Sequence, residues 1–255
     1  MKRRILAILC FAFFISSCSE DNDINVVPVG ITLNFSHSWD GTEVTNADFN
    51  DFKFVNENED TLSITRLRYL ISEITLTHES GAVTTLDDYN LIDVTNNEGL
   101  SFTTSTGILP GDYTSITFRF GFGEENNTNG IYTDLNTESF NVPEMLGGGY
   151  HYMQFDGSYI NSSTMEYPFN YHMISAIDLI AGTPREDTSF VLNIGAVKVR
   201  GNTNINIDMD VSEWFKNPNT WGLNVYNIDL MSNYDAQLLM SRNGASVFSL
   251  VDIIE

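Results

Sequence analysis

Cysteine is almost missing from this chain: two residues in 255, Cys10 and Cys18. Basic residues are scarce as well, 12 Lys+Arg against 34 Asp+Glu for a formal charge of −22, and three of the twelve are Lys2, Arg3 and Arg4. With no basic footprint to neutralise phosphates, nucleic acid is excluded as a partner. The longest apolar run, Ile5 to Ile15, is too short to cross a bilayer core, which needs about 20 residues. Catalytic signatures are absent too: there is no Gly-x-Ser-x-Gly, no phosphate-cradling glycine loop and no His-Glu-x-x-His. No motif selects a pair from the 34 acids for glycoside cleavage, and the chain is expected not to be an enzyme. What is plentiful is apolar and aromatic surface, 42% and 12% of residues, enough to build one core in a domain of this size.

Lys2-Arg3-Arg4, the apolar run and Ser16-Ser17-Cys18 follow the order of a secretory signal. Ile15-Ser16-Ser17-Cys18 resembles a bacterial lipobox, which implies cleavage after residue 17 and lipidation of Cys18. Acyl chains anchor through roughly 0.8 kcal/mol per buried methylene. With that sulfur occupied, disulfides, thiolate metal sites and catalytic thiols drop out of the mature chain. Ser19-Glu20-Asp21-Asn22-Asp23 resembles the acidic export tag of surface-displayed Bacteroidetes lipoproteins. The expected organisation is a signal over 1–17, a polar tether over 18–28 and one domain over 29–255. It is expected at the outer membrane, facing the cell surface or alternatively the periplasm, with the lipid as its only membrane contact.

From Val29 onward, short alternating segments are separated by Gly, Asn, Asp and Pro clusters. Ile31, Leu33 and Phe35 alternate with polar residues at the period of a half-buried strand. Leu67, Tyr69 and Ile71 change parity before Ile74, Leu76 and His78, which predicts a bulge. Glu79-Ser80-Gly81 predicts a hairpin turn into a strand near Val83 to Leu86. Further strands are expected at 89–94, 113–122, 149–155, 190–199 and 205–211. Ser212 to Asn217, stopped by Pro218, predicts a single capped turn, and Asn233 to Asn243 before Gly244 a capped helix. The pattern predicts an all-β fold, an antiparallel β-sandwich of Greek-key type with one or two short helices near its C-terminus.

Histidine occurs only at His37, His78, His151 and His172. His37 shares the inward parity of Phe35, His151 that of Met153 and Phe155, and His172 lies in Tyr171-His172-Met173. His78 is placed at the hairpin tip. Histidines on separate strands beside thioethers suit a soft monovalent copper better than hydrolytic zinc. Oxygen-rich clusters at 21–23, 57–60 and 124–127 contain calcium-type ligands but match no calcium loop, so calcium is unsupported.

Five stretches together resemble the copper-binding MbnP-like domain: Leu33-Asn-Phe-Ser-His37; Leu62 to Ser72 with Leu76; Leu109-Pro-Gly-Asp-Tyr113 into Phe118-Arg-Phe-Gly-Phe-Gly123; Met145 through Tyr150-His-Tyr-Met-Gln-Phe-Asp-Gly157; and Phe169-Asn-Tyr-His172. Asn243 to Ser249 fits the closing segment. The resemblance implies an exported antiparallel sandwich that binds copper, Cu(I) being expected, with His37 and His172 as ligands. The family's tryptophan-bearing run, tied to an oxidised tryptophan, is replaced by Met145-Leu-Gly-Gly-Gly-Tyr150. His151 then stands as a third ligand and Trp39 as the nearest tryptophan to His37. The function implied is non-enzymatic capture or delivery of copper, handed to an uptake or redox partner. The alternative is a cell-surface adhesion lipoprotein that kept the fold without the metal, with Tyr150, Tyr152, Tyr167 and Tyr171 stacking on glycans or a protein ligand.

Overall fold

A computed structural model describes residues 26–182 and 184–254. The signal, the lipobox with Cys18 and the acidic segment 19–23 lie outside the described residues. Two sheets pack face to face. The first is ordered β12 (Phe248–Ile254), β11 (Thr203–Asp210), β1 (Ile31–Trp39) and β2 (Thr42–Glu43), with β6 (Ser101–Thr103) also on β1. The second is ordered β10 (Phe190–Val199), β7 (Gly111–Phe120), β4 (Thr61–His78), β8 (Met153–Ile160) and β9 (Glu166–Met173). Within it β3 (Phe54–Val55) and β5 (Val83–Asp93) also pair with β4. All pairs are antiparallel except β1 with β11, which run parallel from Ile31↔Thr203 to Ser38↔Asp210.

Period-two alternation decides which side chains enter the core. Ile31, Leu33, Phe35 and Trp39 of β1 are buried against Leu67, Tyr69, Phe118, Phe120, Phe155, Phe169 and Tyr171 of the second sheet. β4 is the spine. Its first half pairs with β8, its second half with β7 on the same edge, and β5 runs along the opposite edge. The parity change falls where the sequence places it: the register shifts between Ser72 and Ile74, and the intervening Glu73 takes φ 50°. That bulge keeps apolar side chains inward on both sides of the break.

Other boundaries moved for physical reasons. Val83 to Val94 is nearly one continuous strand. The strand expected over 149–155 starts only at Met153, because Gly147, Gly148 and Gly149 all have positive φ (97°, 66° and 79°), a conformation incompatible with a ladder. β9 contains Pro168, which argues against a strand from sequence; it is tolerated because β9 is a terminal strand of the sheet order.

The two expected helical pieces are present. Asp210 caps a 3-10 turn over Val211–Phe215 by accepting from Ser212 N. Helix α2 (Tyr234–Asn243) follows a short α1 (Thr133–Thr137), and its cap is Asn233, accepting from Ala236 N at 3.0 Å. Gln237 on α2 is fully buried. It donates to His172 O at 2.8 Å and accepts from Ile174 N at 2.8 Å, fixing the end of β9. A second, smaller core of Leu70, Phe122, Leu135, Phe140 and Tyr150 lies on the other face of β4, where the segment between β7 and β8 folds back over the second sheet.

Candidate metal centre

The structure separates the histidines. His37 points from β1 into the sandwich, 3% exposed, with Nε2 3.1 Å from the Tyr69 hydroxyl and Met209 beside it in register. Burial lowers its pKa to about 4, so the ring is neutral. His172 alternates with the inward Tyr171 and Met173 and therefore faces the outer side of the second sheet. That sheet stands between the two, and the pairing of His37 with His172 across one end of the sandwich does not occur. His78 sits at the hairpin, its Nδ1 2.8 Å from Ser80 Oγ, away from both.

His151 is the residue that joins His172. It precedes β8 rather than continuing the inward parity of Met153 and Phe155, and it lies against Phe140 under the folded-back segment. Its ring centroid is 5.3 Å from that of His172, nearly perpendicular at 86°. The glycine run makes this approach possible. Arg185 donates to the carbonyls of Gly147, Gly148 and Asn127, while Tyr150 N donates to Asn127 Oδ1 at 2.7 Å. A Cβ on Gly149 would lie 2.5 Å from that same oxygen.

The ring nitrogens can be assigned. His151 Nδ1 lies 2.9 Å from Phe140 O, which only accepts, so Nδ1 carries the hydrogen. Gln154 Nε2, turned that way because Arg68 Nε donates to Gln154 Oε1 at 2.7 Å, lies 3.3 Å from Nδ1 but is itself a donor, and it donates to Ser139 O at 3.5 Å instead. His151 Nε2 is then a lone-pair nitrogen in a side chain 4% exposed, with no hydrogen-bond partner. Such an orphan is uncommon in a folded protein. Burial, then the positive fields of His172, Arg68 and Arg66, pull the His151 pKa down to about 3, against the Phe140 carbonyl.

His172 Nε2 lies 2.8 Å from Asp156 Oδ1. Burial raises the Asp156 pKa, but hydrogen bonds from His172 and Asn170 and the charges of His172 and Arg66 outweigh it and bring it down to about 2. Asp156 is therefore an acceptor only, and His172 Nε2 carries the hydrogen it receives, which leaves Nδ1 as the ring nitrogen outside that bond. The two rings thus meet on the outer face, His151 with an unpartnered Nε2 and His172 with its Nε2 given to Asp156.

No group of three or more His, Cys, Asp and Glu side chains arranged to hold a metal occurs among the described residues. Of the calcium candidates, Asp60 and Asn56 bond each other, and Glu124 pairs with Arg185. Tyr150, Tyr152 and Tyr171 are fully buried, leaving Tyr167 of that quartet at the surface. The polar residues around the pair, Arg66, Arg68, Gln154 and Asp156, were not singled out from sequence. Their signal was there: Arg66 and Arg68 alternate with Leu67 and Tyr69, and Gln154 and Asp156 with Met153 and Phe155, so both strands put their polar residues on one outer face.

Fold and site define a two-sheet β-sandwich that carries a pair of imidazoles, one buried and one half-buried, outside its main core. The model of the MbnP family matches residues 28–233, and the chain belongs to that family, which is associated with copper. Among solved structures, MbnP from Methylosinus trichosporium is similar at 12% identity and a TM-score of 0.49, covering 77% of this chain and 80% of that one. A search of curated proteins found no match. No helix among the described residues is long and apolar enough to cross a membrane.

Proposed function

We propose that this protein is an exported, non-enzymatic copper-binding lipoprotein, anchored through Cys18 at the outer membrane, that captures copper or passes it on. His151 and His172 are the ligands, offering Nε2 and Nδ1. The carrying observation is the unpartnered Nε2 of buried His151. A copper ion accepting that lone pair removes the cost of an unsatisfied buried group, and imidazole nitrogen suits copper. His37 is left out of the ligand set because Tyr69 already satisfies its Nε2. Family membership supports copper, and the signal-like leader supports export.

The test is a competitive Cu(I) titration of residues 19–255, as wild type and as His151→Ala, His172→Ala, His37→Ala and the His151/His172 double variant. Stoichiometric uptake lost in the first two and kept in His37→Ala supports the assignment. Wild-type uptake no tighter than that of the double variant sinks it, and glycan screening becomes the next step.

A further inference from the structure

Asp156 is only 8% exposed, and both its oxygens are engaged. Oδ1 accepts from His172 Nε2 at 2.8 Å and from Asn170 Nδ2 at 2.6 Å, while Oδ2 takes both Nε and a terminal nitrogen of Arg66 at 2.5 Å. Asp156 and Asn170 are a cross-strand pair of β8 and β9, and Arg66 reaches Asp156 from the neighbouring β4, so three strands hold the carboxylate in place. It has no oxygen left for a metal, and it touches Nε2 of His172, leaving Nδ1 outside its reach.

We propose that Asp156 is a positioning residue. It holds His172 as the Nε2–H tautomer, so that Nδ1 is the nitrogen left open on a ring whose centroid lies 5.3 Å from that of His151, and Arg66 sets the orientation in which Asp156 does this. The inference rests on the copper reading for its functional half; the tautomer half stands on hydrogen bonds alone. Carboxylates that hold a ligating imidazole by its other nitrogen fix both tautomer and ring orientation.

Asp156→Asn is nearly isosteric and separates position from shape. Its amide has one oxygen, and Arg66, a donor only, takes it. The NH2 then takes the place of Oδ1 and donates both to His172 Nε2 and to Asn170, whose own amide turns to offer its oxygen, which forces the hydrogen of His172 onto Nδ1 and removes the offered lone pair. In the double variant Arg66→Met/Asp156→Asn the amide is free to turn its oxygen back to Nε2–H, and the original tautomer returns.

The experiment is long-range 1H–15N correlation NMR of the metal-free full chain, with Cu(I) competition titrations on the same samples. Wild type is expected as Nε2–H at His172, Asp156→Asn as Nδ1–H with Cu(I) affinity reduced about ten- to a hundredfold. The double variant is expected to regain both the tautomer and, within a few fold, the affinity. Nε2–H retained in Asp156→Asn overturns the proposal. So does a flipped tautomer with unchanged Cu(I) affinity. A wild type that binds no Cu(I) overturns the copper reading, and the tautomer measurement then still decides whether Asp156 sets the ring.

Discussion

Two regions of this sandwich bury a histidine to nearly the same depth and give it opposite situations. Inside, His37 lies against the Tyr69 ring with its Nε2 on the Tyr69 hydroxyl, and neither of its nitrogens is a buried atom without a partner. Outside the second sheet, His151 spends one nitrogen on a carbonyl and has nothing for the other. Burial alone therefore does not mark a ligand. The hydrogen-bond account of each nitrogen does, and it reverses the order of candidates that parity and motif order suggested.

The largest expected contrast is in metal affinity. Removing either imidazole of the outer pair should weaken Cu(I) binding by about a hundredfold or more, on the order of 3 kcal/mol. His37→Gln should change it less than about threefold in the same titration. A His37 variant as damaging as the outer ones would erase the distinction between the two regions.

Next comes acid stability. His37 has a folded pKa of about 4 against an ordinary value near 6.5, so the unfolded chain binds the extra proton first. Stability is full above about pH 6.5 and falls as pH drops toward 4, by roughly 3 kcal/mol from this residue. Denaturant melts across that window should show His37→Gln flattening the fall, and an unchanged slope would contradict the buried neutral ring.

The glycine loop should respond at both levels. Gly149→Ala imposes a side chain at φ 79° with its Cβ 2.5 Å from Asn127 Oδ1. A loss of roughly 1–3 kcal/mol is expected, with weakened Cu(I) binding because His151 is two residues on. Smallest is Tyr69→Phe, which orphans His37 Nε2 and should cost about 1–2 kcal/mol in a thermal or denaturant melt while leaving copper binding unchanged.

Much of the frame was legible in the chain. The bulge in β4, the turn at Glu79-Ser80-Gly81, the strand over Phe190–Val199 and the helix capped by Asn233 all follow from alternation, turn chemistry and capping. The parallel pairing of β1 with β11 did not, because residues 172 apart carry no local signal of their partner. The site was legible only in part. His151 and His172 were both visible as candidates, but that one precedes its strand while the other faces outward depends on the Gly147–Gly149 loop and on the segment that folds over the second sheet. Parity alone sent His151 to the wrong face.

The most direct test of the central claim is 1H–15N NMR of the four histidine rings during Cu(I) titration. His151 Nε2 and His172 Nδ1 are predicted to shift together and saturate at one equivalent, with His37 unmoved. A shift at His37 with His151 and His172 unchanged would contradict the assignment of copper to the outer pair.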